Sequence, residues 1–206
     1  MKTIKVKYII TTLALIFIFA ISSNAQTGYG IGDKVKDFSL INIDGSMVSM
    51  SDYADAKGFI VIFSCNHCPW VVLYEDRMTE LHNIYAPKGF PVIAINSNDS
   101  VVVPEDSYSK MIIRAKEKEF PFAYLYDETQ ETARQFGAVR TPHVYVISKE
   151  DMTVQYIGAI DNNPKEPESV TQSYVKDAVD ELLKKKNVTL KETKAIGCTI
   201  KWRKTE

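Results

Sequence analysis

Cys65 and Cys68 stand three positions apart in the run Phe59-Ile60-Val61-Ile62-Phe63-Ser64-Cys65-Asn66-His67-Cys68-Pro69-Trp70, where a short apolar stretch gives way to an amphipathic pattern. Two thiols at that spacing form a dithiol/disulfide redox centre. A strand-to-helix junction sets them near a helix N-terminus, where unpaired N–H groups and the helix dipole stabilise a thiolate. Cys65, the earlier cysteine, is expected nearest the helix end, more exposed and lower in pKa, and so the attacking thiol. Cys68 then resolves the mixed disulfide. A disulfide this local gains little chain entropy, which argues against an inert staple. His67, between the cysteines, is placed to favour the thiolate, or else is a solvated turn side chain.

The other candidates are scattered. Cys198 is the odd third cysteine, either a third thiol that traps Cys65 or Cys68 in a resolving step or a buried, inert small hydrophobe. His82 falls on a helix among polar neighbours and reads as a surface residue. His143, beside Pro142, either approaches the sulfurs or simply begins a strand. Arg140 either assists a thiolate or peroxide or pairs with surface acids. A binding role is the reading from another class: Cys65, Cys68 and a nearby histidine offer a soft ion such as Cu(I) a donor set. Zinc normally wants four ligands, and there is no second C-x-x-C or clustered histidine pair. Pro69 rather than histidine follows Cys68, which excludes c-type haem attachment. No organic cofactor is implied.

The elements that position these groups follow from periodicity. Phe38–Ile43 and Met47–Met50 alternate around Asp44-Gly45, predicting a β-hairpin. Gly58–Phe63 is the redox strand. Trp70, Tyr74, Met78, Leu81 and Tyr85 repeat at helical spacing until Pro87 and Gly89. Phe90–Ile95 is a second buried strand. Tyr108, Met111, Ile112 and Ala115 form another helical stripe, and Phe122–Tyr126 a short strand. Asp127 is placed to cap a helix through Ala133 and Phe136, with Gln130 in the reciprocal capping position and Gly137 suited to the left-handed end. Thr141-Pro142 then opens a strand, His143–Ile147, followed across a hairpin by Val154–Ile157. A helix is expected from about Ser169 to Lys185. This order predicts an α/β fold, helices on a mixed central sheet.

The chain has 206 residues and a formal charge of −1. Lys2, Lys5 and Lys7 precede an apolar stretch from Tyr8 to Ile21, and Ser22-Ser23-Asn24-Ala25 supplies small residues before Gln26. Residues 1–25 therefore read as a cleavable signal peptide, and 26–206 as the folded domain. The apolar stretch is short of the ~20 residues a spanning helix needs, so no stable membrane insertion is expected after cleavage. Loss of those three lysines and no acid takes the formal charge from −1 to −4, which leaves nothing basic to suggest nucleic acid. The expected location is periplasmic or secreted, where cysteines tend to be oxidised.

By its strand, its C-x-x-C at a helix start and its later Thr-Pro, the chain resembles the thioredoxin superfamily. Within it the likeness is to a peroxiredoxin-like redoxin group related to the alkyl hydroperoxide reductase/thiol-specific antioxidant proteins. That likeness rests on Cys65-Asn66-His67-Cys68-Pro69, Ala94–Asp99, Tyr124–Gln130, Thr141-Pro142, Gly158–Asn163 and Gly197-Cys198-Thr199-Ile200-Lys201-Trp202. The resemblance implies a thioredoxin-like fold and a cis Pro142, with Thr141 and Pro142 flanking Cys65 and an extended partner pairing at that edge. It also implies a thiol–disulfide oxidoreductase acting on protein or small thiol substrates with an external electron donor or acceptor. Strongly oxidising members carry histidine at the place of His67. Two departures from thioredoxin stand out: Ser64 replaces the tryptophan before the first cysteine, and Phe59 stands where a buried acid accepts a proton. Thiol peroxidase is the runner-up. The peroxiredoxin pattern of Pro and Thr or Ser, seven and three residues before the reactive cysteine, fails for both thiols: Val61 and Cys65 precede Cys68, Gly58 and Ile62 precede Cys65.

Overall fold

The computed structural model describes residues 28–204; the expected signal peptide at 1–25 lies outside the described residues. In chain order the strands are β1 (Ser39–Asn42), β2 (Met47–Ser49), β3 (Gly58–Ser64), β4 (Val92–Asn96), β5 (Ala123–Tyr126), β6 (Arg140–Thr141), β7 (His143–Ser148), β8 (Thr153–Gly158) and β9 (Cys198–Thr199). The α-helices are α1 (Pro69–Val72), α2 (Glu75–Tyr85), α3 (Tyr108–Glu117), α4 (Glu131–Phe136) and α5 (Tyr174–Leu183). Seven strands form one mixed sheet in the order β2-β1-β5-β4-β3-β7-β8, while β6 and β9 pair separately. β3 lies at its heart, parallel to β4 and antiparallel to β7. The expected hairpin is present at one edge, with Ser39 opposite Ser49 and Ile41 opposite Met47.

β3 is buried along its whole length, and alternation along the strand divides it between two cores. Ile60 and Ile62 face α2, α3 and α5 through Met78, Leu81, Met111, Val175 and Val179. Phe59, Val61 and Phe63 face α4 and the chain ends through Ala133, Phe136, Tyr29 and Ile200. Phe136 meets the rings of Tyr29, Phe63 and Tyr145 at 5.1, 5.2 and 5.1 Å, all near edge-to-face, the arrangement aromatic quadrupoles favour. A strand apolar at both parities needs cover on both faces, which is why the chemistry sits at its end.

Three expected elements differ in detail. The helix after Cys68 is broken at Leu73–Tyr74, where the Tyr74 N–H reaches only Val71 O at 2.8 Å. Tyr74 donates its hydroxyl to the Asp161 carboxylate at 2.9 Å, and Arg77 binds the same carboxylate at 2.6 Å, so this turn is tethered to a distant loop rather than to its own axis. The last helix begins at Tyr174 rather than near Ser169, because Asn162 Oδ1 accepts the N–H groups of Thr171 and Gln172 and holds that run out of the helix. Gln130 does not cap α4: its φ is 63° and its amide turns away toward the C-terminal segment. Asp127 performs the capping, accepting the N–H groups of Thr132 and Ala133 at 3.3 and 2.9 Å. Gly137 ends the helix in the left-handed region as expected, with φ 71°.

Candidate active site

Cys65 follows directly from the last residue of β3, and Cys68 is the N-cap of α1, with Pro69 in the first turn. Pro is preorganised for that first helical position, so the helix starts after Cys68, not after Cys65. Both cysteines are free thiols packed with Val71, Trp70 and Cys198. Across from them the Thr141–Pro142 peptide is cis. Cys65 Sγ lies 3.5 Å from Thr141 Oγ1 and Cys68 Sγ 3.3 Å from the Thr141 carbonyl oxygen, so Thr141 contacts both sulfurs.

The surroundings of the two coupled thiols favour the opposite order of acidity to the expected one, with Cys68 the thiol held low. Cys65 donates its S–H there, burial opposes, and the Cys198 thiol and the Val71 N–H add further donors, holding Cys68 well below the ordinary thiol range. Cys65 is pushed up by its hydrogen bond to Cys68, by burial and by the charge of Asp106. The Thr141 carbonyl works against a thiolate on Cys68, but one acceptor is outweighed by the converging donors. Exposure is corrected too: Cys65 is 2% and Cys68 0% exposed.

The cover comes from the C-terminus. β9 pairs antiparallel with β6, setting Cys198 opposite Thr141 and Thr199 opposite Arg140. The edge expected to receive an extended partner is therefore occupied by the chain itself. Gly197 makes this approach feasible, since a Cβ there would lie 2.1 Å from the Thr141 carbonyl oxygen. Among the described residues Arg140 neither bonds the sulfurs nor pairs with an acid; its guanidinium donates to Gly197 O at 3.0 Å. Beyond the strand, Ile200 is buried and Lys201 O accepts from Asp99 N and Gln130 Nε2, both at 2.9 Å. Cys198 is partly exposed, and burial together with the neighbouring Cys68 charge pushes its thiol up to about 11.

One functional candidate had no signal in the motif. Asp106, fully buried, accepts the Asn66 N–H at 2.8 Å on one oxygen and the Asn98 amide at 2.6 Å on the other, which also lies 2.8 Å from His67 Nδ1. Tyr124 completes the support by donating to Asn66 Oδ1 at 2.8 Å. This carboxylate lies 40 residues from the turn it holds. His67 is thus a partner of Asp106 rather than a free turn side chain. His82 is half-buried, its Nδ1 accepting the Val92 N–H at 3.3 Å. His143 is buried against Tyr145, and its Nδ1 has no partner among the described residues. Burial lowers its pKa to about 4.

For a metal, the donors that converge are Cys65, His67 and Asp106, within 4.8 Å of one another, not the two cysteines with a histidine. Both Asp106 oxygens already accept hydrogen bonds from the turn and from Asn98, so this set is organised to hold the turn.

Residues 31–157 match the AhpC/TSA family, and the chain belongs to it. The fold and the family together define a redoxin, a thiol oxidoreductase in the broad sense. Among solved structures, an uncharacterized conserved protein from Geobacillus kaustophilus is 38% identical, covering 86% of this chain and 95% of that one with a TM-score of 0.81. A hypothetical protein from Sinorhizobium meliloti is 32% identical over 85% and 96%, with a TM-score of 0.79. A thiol:disulfide interchange protein of the thioredoxin family from Chlorobium tepidum shares the fold at 20% identity, over 62% and 86%, with a TM-score of 0.52. No curated protein matches the chain. Among the described residues no helix is long and apolar enough to cross a membrane.

Proposed function

We propose that this chain is an exported thiol–disulfide oxidoreductase whose Cys65–Cys68 couple exchanges two electrons with protein or small thiol substrates. The observation that carries this reading is the packing of two free thiols against the cis Thr141–Pro142 loop, with Cys68 at a helix N-cap. Closing the disulfide releases two electrons to an external acceptor and one proton from each thiol. Asp106 and His67, grouped with Cys65 within 4.8 Å, take up the Cys65 proton and position the turn. Export rests on the basic and apolar pattern of residues 1–25.

Titration of the purified chain against a dithiol buffer tests this. A reversible two-electron couple is expected, lost in both Cys65→Ser and Cys68→Ser, with one thiolate ionising far below the ordinary thiol value of about 8.5. A potential near about −270 mV indicates a reductase and one near about −120 mV an oxidant. Retention of full exchange by both serine variants rejects the couple, and fast peroxide consumption at either thiol replaces it with peroxidase chemistry.

A further inference from the structure

The reactive pair is buried, yet its chemistry requires contact with an outside sulfur. Three observations bear on how that contact is made. The Cys65 and Cys68 residues are 2% and 0% exposed, whereas Cys198 in the same sulfur cluster reaches solvent. The backbone edge beside Pro142 is filled by β9, with Cys198 in register with Thr141, whose carbonyl is 3.3 Å from Cys68 Sγ. And β9 is held on both flanks. Upstream, Thr193 N–H bonds Ile157 O at 2.9 Å; downstream, Ile200 N–H bonds Val139 O at 3.2 Å and Lys201 N–H bonds Asn98 Oδ1 at 2.8 Å. Cys198 is therefore presented to Cys68 by a strand tethered on both flanks, in the place an extended partner would take.

We propose that Cys198 is a relay thiol, the sulfur through which external thiols exchange with the buried pair. The inference rests on the dithiol reading above. Starting from the Cys65–Cys68 disulfide, Cys198, as thiolate, attacks Cys68 Sγ. The Cys68–Cys198 bond forms, the Cys65–Cys68 bond breaks, and Cys65 leaves with the electron pair and takes up the proton that Cys198 lost. This step is an isomerisation and needs no outside oxidant. An external thiolate next attacks Sγ of the partly exposed Cys198 and expels the Cys68 thiolate. A second external thiol then releases Cys198 as a thiol and departs as the external disulfide, leaving Cys65 and Cys68 reduced. The net change is one protein disulfide and two thiols to one protein dithiol and one external disulfide. The donors that converge on Cys68 make it the better leaving group in the second step.

The assignment is tested with the full mature chain in three forms, wild type, Cys65→Ser and Cys198→Ser, with Cys198→Ala as a second removal of the sulfur. Oxidised Cys65→Ser is expected to give a peptide pair joined through Cys68–Cys198 by mass spectrometry. Cys198→Ser and Cys198→Ala are expected to form the Cys65–Cys68 disulfide with unchanged stoichiometry. Their reduction by glutathione is expected to be at least tenfold slower than wild type. If both Cys198 variants are reduced at the wild-type rate, or no Cys68–Cys198 link forms in Cys65→Ser, the relay is overturned while the couple stands. If wild type forms no reversible Cys65–Cys68 disulfide, the dithiol reading itself fails and the relay with it.

Discussion

Two segments meet at the sulfurs, and they are secured by different means. The Cys65–Cys68 turn is held by the buried Asp106 carboxylate, which accepts from Asn66 and Asn98 and lies against His67. The C-terminal strap is held mostly at its backbone: by the β6–β9 pairing, by the Arg140 guanidinium on Gly197 O, and by Gln130, whose amide bonds Ser97 O and Lys201 O at 2.6 and 2.9 Å while its oxygen accepts the Arg203 N–H at 2.8 Å. A buried charge with all its donors in place fixes one geometry, because each unmatched donor is costly in a low dielectric. Neutral backbone pairing at an edge is individually weaker and opens locally. The turn is accordingly the rigid half of the site and the strap the half able to yield.

The largest effect that would break this contrast is at Asp106. Asp106→Ala strands the Asn66 N–H and the Asn98 amide in the interior, and is expected to cost about 3–5 kcal/mol in denaturant unfolding. A loss under about 1 kcal/mol would equate the two anchors. Next comes His143, in a hollow lined by Arg140, Glu192, Thr193 and Lys194 beside the strap. Its folded pKa, about 4, lies below the ordinary histidine value of 6.5, so the unfolded chain takes up a proton first. Stability is therefore retained above about pH 6.5 and falls as pH drops toward 4, by up to about 3 kcal/mol. His143→Gln should flatten that limb of the pH–stability curve. Gln130→Ala is the smallest, about 1–3 kcal/mol, and should act locally. Amide exchange at residues 99 and 200–203 is expected to accelerate while the Cys65–Cys68 turn stays protected, and equal acceleration in both would deny that the strap opens alone.

Alternation and spacing made much of the molecule legible. β3, the C-x-x-C at its end, the edge hairpin and the Gly137 stop all rest on local patterns, and each falls where those patterns place it. The ranking of the thiols was also legible in principle, through a signal that the cysteine spacing overshadowed: Pro69 prefers the first helical position, which makes Cys68 the cap. The C-terminal segment, with Ile200 and Trp202, was legible as one that folds back onto the body, but Asp106 and the pairing of that segment with β6 were not. A carboxylate that acts across 40 residues leaves no period in the chain, and a two-residue strand such as β9 is too short to show one. What the Gly197-Cys198 segment does depends on its pairing partner, Thr141, and pairing is a property of the folded chain.

The seal over the sulfurs hangs on a carbon that is missing. At position 197 a single methyl would drive into the Thr141 carbonyl, so Gly197→Ala is a wedge that prises the lid from the cluster without touching any sulfur. Whether the reactive pair is roofed or open to solvent is thereby set by the smallest volume a side chain can have.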